Sequence, residues 1–202
     1  MARNRAARPE ARPLRLFVAV ELPESARAAI DGAVGPWRER VPEARWVPPE
    51  NWHVTLKFLG GTWPRLSEWV PSQIERAAAE CSPFDTRLAG LGAFPSIGRA
   101  RVLWVGLEDR AGRMAEIVHA LDAALAAEFR PETRAYTPHV TVARSDPPVR
   151  LPQEFVSTAL IPAPVRVERI TLFRSHLRRP SPWYEPLGSF PLLRPAPELT
   201  ER

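Results

Sequence analysis

Hydrophobic and polar positions divide the chain into short segments of alternating period. Leu14 to Glu21 (LRLFVAVE) is apolar, β-branched and aromatic, and it ends before Pro23. That pattern predicts a buried strand. Pro23 and Glu24 then open a helical stretch over residues 24–40, with Pro36 expected to weaken its last turns. From Trp52 to Leu59 the chain alternates strictly, which puts His53, Thr55 and Lys57 on one face and Val54, Leu56 and Phe58 on the other. Gly60 and Gly61 are expected to stop this strand.

Residues 72–80, after Pro71, predict a second helix, and residues 87–94 and 101–107 two more strands. Met114, Val118, Leu121 and Leu125 form an apolar stripe in a helix expected over 112–129. A second alternating strand is expected at His139 to Ala143, and a last one over 165–175. The basic stretch 1–13 and the proline-rich stretch 194–202 are expected to be flexible tails around one domain, 14–193.

The two halves of this pattern repeat. Each runs strand, helix, then His-Val-Thr-apolar, and Phe17 precedes His53 by 36 positions where Trp104 precedes His139 by 35. A repeated order at matched spacing predicts two similar lobes about a pseudo-twofold axis, with the two motifs facing each other. In a strand each His and its Thr point the same way, about 7 Å apart. Two such pairs would surround a tetrahedral, phosphate-sized group. Displacement at phosphorus needs a base for the attacking water and an acid for the departing oxygen. Two imidazoles, which titrate near neutrality, supply both, and the threonine hydroxyls can donate to the oxygens that gather charge. Two imidazoles could also ligate a metal, but neither motif has a third ligand beside it.

Composition narrows the picture without changing it. The 202 residues, 45% hydrophobic and 25% charged, suit one globular unit. No apolar run is long enough to span a bilayer and no signal-peptide pattern opens the chain, so a cytoplasmic protein is the expectation. The net charge of +5 favours an anionic partner. Cys81 is the only cysteine, which rules out an internal disulfide and reads as a small, partly buried hydrophobe. His119 falls on a helix flank. His176, at the end of the last strand beside Arg178 and Arg179, is either ordinary or a substrate contact.

The blocks LRLFVAVELP, ENWHVTLKFLG, GAFP with RVLWVGL, TPHVTVAR, and ERITLFRSHL with WYEPLGSFPL span residues 14 to 193. With both His-x-Thr tetrapeptides in order, the chain resembles the two-histidine phosphoesterases. More closely, it resembles the bacterial and archaeal RNA 2′,3′-cyclic phosphodiesterases, also called 2′-5′ RNA ligases. The resemblance implies an α+β fold of two lobes, with two antiparallel sheets lining a central cleft and helices outside. It implies opening of a 2′,3′-cyclic phosphate RNA end to the 2′-phosphomonoester, with His53 as proton donor, His139 as proton acceptor, and Thr55 and Thr141 on the phosphate. Reverse joining through a 2′-5′ bond in vitro would be the same displacement run backwards. No metal or organic cofactor and no partner protein is implied, and a monomer suffices.

Four further residues are candidates for substrate contact. Arg144 matches an arginine that follows the second motif in relatives, although strict alternation turns it away from His139 unless a bulge intervenes. Lys57 shares the His53 face. Trp52 and Tyr136 are the best placed of the aromatic residues, which include Phe17, Trp104 and Phe173, to stack a terminal base. Two rival readings stay open: a module that binds RNA ends without turnover, and a phosphodiesterase for 2′-5′ oligonucleotides or an ADP-ribose cyclic phosphate.

Overall fold

A computed structural model describes residues 12–178 and 181–195 of the chain. The expected tails lie almost wholly outside the described residues. Along the chain run β1 (Leu14–Glu21), α1 (Glu24–Arg40), β2 (Arg45–Trp46), β3 (His53–Thr62), α2 (Trp69–Ala79), β4 (Phe84–Phe94), β5 (Ala100–Leu107), α3 (Arg113–Leu125), β6 (His139–Val149), β7 (Pro164–Val167), β8 (Arg169–His176) and β9 (Trp183–Pro191).

The strands join antiparallel in the order β7-β4-β5-β6-β3-β1-β8-β9, with β2 added on β6. Outward from the middle, the order is the same in both directions: β3-β1-β8-β9 on one side and β6-β5-β4-β7 on the other. This is the repeat seen in the sequence, written as a pseudo-twofold relation. The two expected sheets are therefore halves of one curled path. They meet at a thin seam, where β3 and β6 share a single residue pair, Val54 with Val140.

The helices cover the sheet crosswise. α3 follows β5 of the second half yet packs on β3 of the first, while α1 follows β1 of the first and reaches β7 of the second; α2 packs on α3, β8 and β9. One continuous apolar core results, in which Val54, Ile74, Leu103, Leu121 and Val140 are all fully buried.

Several element bounds differ from expectation for local reasons. Pro36 does not weaken the end of α1, which runs to Arg40 because Ile30, Val34 and Trp37 are buried and the Trp37 indole donates to Thr158 Oγ1 at 2.9 Å. α2 starts three residues early. Pro71 then sits in its first turn, where no intrahelical donor is required. α3 stops at Leu125, four residues before the expected end. Gly60 and Gly61 do not stop β3. Gly60, at φ +63°, sits at a register shift against β1, and the strand continues to Thr62. The single strand expected over 165–175 breaks at Glu168 into β7 and β8. β9 gave no periodic signal because Pro186, Gly188 and Pro191 interrupt it. As the last strand of the path it tolerates residues that lack a donor or a side chain.

Candidate active site at the seam

The seam brings the two motifs together. Continuing the Val54–Val140 register one residue each way puts His53 beside Thr141 and Thr55 beside His139. Both valines are fully buried in the core. The four neighbours therefore share the opposite face, each His about 7 Å from the Thr of its own strand. Each imidazole has the other motif's hydroxyl as its lateral neighbour.

Beyond the threonines, both strands carry a bulge at the same place. Against β1, Ala19 pairs with Thr55 and Val18 with Lys57, so Leu56 is the extra residue. Against β5, Trp104 pairs with Thr141 and Leu103 with Ala143, so Val142 is the extra one. Each bulge reverses the alternation beyond it. Arg144 is thereby turned onto the face of His139 and Thr141, where it lines the cleft. In the other half the same shift exposes Phe58 and buries Lys57.

Lys57 is accordingly not a cleft residue. Its ammonium pairs with the Asp122 carboxylate and donates to the Arg130 carbonyl at 3.1 Å, with 6% of the residue exposed. The expectation failed because strict alternation ignores the bulge. Trp52 and Tyr136 are corrected as well. Trp52 is 2% exposed and belongs to the core, so it presents no face to a base. Tyr136 packs against the core and its phenol donates to the Thr55 carbonyl at 3.0 Å, while burial raises its pKa.

The two imidazoles are held identically. Nδ1 of His53 lies 2.8 Å from the Asn51 carbonyl, and Nδ1 of His139 lies 2.8 Å from the Thr137 carbonyl. A carbonyl can only accept, so Nδ1 carries a proton in both rings, and Nε2 of the neutral ring keeps its lone pair. Burial pushes the His53 pKa down to about 4. The Asn51 hydrogen bond opposes that shift, and the charges of Arg144 and His139 reinforce it. His139 is lowered too, by burial first, against its bond to Thr137 and with help from Arg144. At neutral pH both rings of the free protein are uncharged.

Aromatic groups flank each ring. Phe17 and Tyr184 lie 4.8 and 5.3 Å from His53, centroid to centroid, and Phe94 and Trp104 lie 5.1 and 6.3 Å from His139. The space above is lopsided. A cavity of about 400 Å³ opens on the β1–β3–β8 side, where Phe17, Phe58, Tyr184 and Arg15 line it beside His53, Thr55, Thr141 and Arg144. Phe58, Tyr184, Arg15 and Asn51 were not singled out from the sequence. Phe58 was legible in principle as the counterpart of Arg144 in the repeat. His119 is exposed on α3, and His176 bonds to Glu185 at 2.7 Å. Cys81 is buried, which raises its thiol pKa. Among the described residues no cluster of three His, Cys, Asp or Glu side chains could hold a metal ion, and no helix is long and apolar enough to cross a membrane.

Known proteins are similar to this chain in sequence and in fold. The RNA 2′,3′-cyclic phosphodiesterase of Thermus thermophilus is 36% identical over 191 residues, covering 89% of this chain and 90% of its own. The protein of the same name from Geobacillus stearothermophilus is 31% identical over 180 residues, 88% of this chain, and the chain spans 57% of that relative's length. Among solved structures, TT0787 of Thermus thermophilus superimposes with a TM-score of 0.77 at 31% identity, over 89% of this chain and 98% of that one. E. coli LigT complexed with 3′-AMP gives a TM-score of 0.70 at 25% identity, over 90% and 99%. The model of the 2′-5′ RNA ligase superfamily matches residues 22–179. Both His-x-Thr strands and the seam between them fall inside that match, and the chain belongs to the 2′-5′ RNA ligase superfamily.

Proposed function

We propose that this protein opens RNA 2′,3′-cyclic phosphate ends to 2′-phosphomonoesters, with His139 taking a proton and His53 giving one. The observation that carries this reading is the register at the seam, which sets two imidazoles and two hydroxyls on one face, opposite the buried Val54 and Val140. Water attacks phosphorus as Nε2 of His139 accepts its proton. The bond from phosphorus to O3′ breaks in line, and protonated His53 delivers its proton to O3′. Thr55, Thr141 and Arg144 hold the non-bridging oxygens, where negative charge accumulates. Each turnover leaves His139 charged and His53 neutral, and exchange with solvent resets the pair.

The lopsided cavity supports this division of labour. A nucleoside fits over the exposed Phe58 and the half-buried Tyr184, on the half that carries His53. The leaving O3′ belongs to that same nucleoside, so His53 is the nearer acid. In-line attack then brings water from the opposite side, towards His139. Since His53 is held near 4 in the free protein, the phosphate anion itself must draw a proton onto it. The 3′-AMP bound to LigT and the names of the relatives agree with a nucleotide substrate. All the residues of the site come from one chain, so the reading asks for no partner subunit. A monomer acting in the cytoplasm goes with it.

His53→Ala and His139→Ala should each lower turnover on the order of a thousandfold while leaving the thermal transition cooperative. Phosphorus NMR on an RNA with a cyclic phosphate end should show a 2′-monoester, and EDTA should leave the rate unchanged. A wild-type protein that leaves the cyclic signal intact would instead be a module that binds RNA ends. Activity lost to EDTA and restored by zinc would overturn the two-imidazole mechanism.

A further inference from the structure

We propose that Lys57, Asp122 and Tyr136 are positioning residues, forming a brace by which the first His-x-Thr strand sets where His139 stands. The proposal extends the acid–base reading above and rests on it for the meaning of that position. One residue pair joins β3 to β6, too little by itself to fix the spacing of two motifs. The segment that delivers His139, residues 126–138, forms neither helix nor strand, and residues 130–135 are exposed. Its course is nevertheless tied down, and two of the ties come from β3 itself. Lys57 pairs with Asp122 and donates to the Arg130 carbonyl. The same Asp122 carboxylate accepts the Glu132 N–H at 3.2 Å. The Tyr136 phenol then reaches the Thr55 carbonyl, three residues before His139.

The other half solves the same problem with backbone. The segment that delivers His53 docks on the His139 strand through β2, where Trp46 pairs with Ala143 and the Val47 N–H donates to the Val142 carbonyl at 2.8 Å. Ala143 and Lys57 are counterparts, each directly after a bulge and turned inward. Anchorage is thus reciprocal: each motif's approach is held by the other motif's strand. Where the second strand uses a small residue and a β-bridge, the first uses a buried cation.

Stability does not account for that cation. Withdrawing a Lys–Asp pair from water is costly, and well-packed apolar replacements are often as stable. What a buried pair supplies here is a direction. It points from β3 to two fixed points on the delivering segment, the Arg130 carbonyl and, through Asp122, the Glu132 amide.

Two variants test the brace. Tyr136→Phe removes one hydrogen bond and keeps the ring. Lys57→Met with Asp122→Asn removes both charges and keeps an acceptor for the Glu132 amide. Both should unfold cooperatively. Turnover of a nucleoside 2′,3′-cyclic phosphate should fall about tenfold in the double variant, with KM within about threefold, because misplacement costs rate more than binding. Histidine titrations followed by NMR supply the readout that a merely structural role would not move. The His139 pKa should rise towards 6.5 as its surroundings loosen, while His53 stays near 4. Wild-type turnover in the folded double variant, or equal movement of both histidines, overturns the proposal. Should the wild-type protein turn over no cyclic phosphate, the titrations still decide. A rise confined to His139 keeps the brace, although the catalytic reading falls.

Discussion

Arg144 and Lys57 have opposite fates for one reason. Each lies just beyond a bulge, and a single inserted residue exchanges the inner and outer faces of the remaining strand. The two histidines and two threonines precede the bulges, so strict alternation was enough to place them. The residues after the bulges were not legible, because a bulge is defined against a partner strand that the sequence does not reveal. Arg144 depresses both imidazoles, and its loss has a predictable sign. The productive free protein carries one proton on the pair, and that proton is lost as pH rises through values displaced below 6.5. In Arg144→Met both values rise, so the descending limb of kcat/KM against pH should move to higher pH, alongside weaker phosphate binding. A limb that stays in place would remove Arg144 from the site.

Strand pairings, rather than single strands, decide how each ring is framed. On the second half, Trp104 of β5 lies against the backbone of β4 at Gly92, where a Cβ would come within 2.2 Å of the indole. Gly92 is therefore required by close approach and not by its own dihedrals. Gly92→Ala should push the indole towards His139, cost about 1–3 kcal/mol, and lower kcat; thermal melts and steady-state kinetics would show both. Unchanged values would mean that the indole is free to move. The strands with clear period two were legible in the sequence, and so were the three helices, the first two from the prolines at their starts and α3 from its apolar stripe. β9 and β2 were not. The first is broken by proline and glycine, and the second is two residues long, too short to have a period.

At the scale of the whole molecule, the repeat foretold two related halves but not how little joins them. A one-pair seam has no sequence signature, since it depends on how far two strands diverge. Its consequence is a site whose histidines sit where the halves meet, in surroundings that disfavour charge. Folding therefore depends on pH. The unfolded chain protonates His53 near 6.5 and the folded one only near 4. The stabilisation is complete above 6.5 and is lost as pH falls towards 4, an amount on the order of 3 kcal/mol. His139 adds to it in the same direction. The thermal midpoint should fall across this window, and the fall should shrink in His53→Gln. Parallel curves for the two proteins would place the acid sensitivity elsewhere.

Lys57 is the only lysine in the chain, and it is closed in behind β3. No other side chain therefore offers a primary amine to an acylating reagent. Labelling of that one nitrogen should await a transient parting of the strand from the segment beside it. The rate at which the acyl group appears on the peptide that carries Lys57, separated by digestion from the α-amine, would then time that opening without any introduced probe. A bound phosphate that holds the two motifs together should slow it.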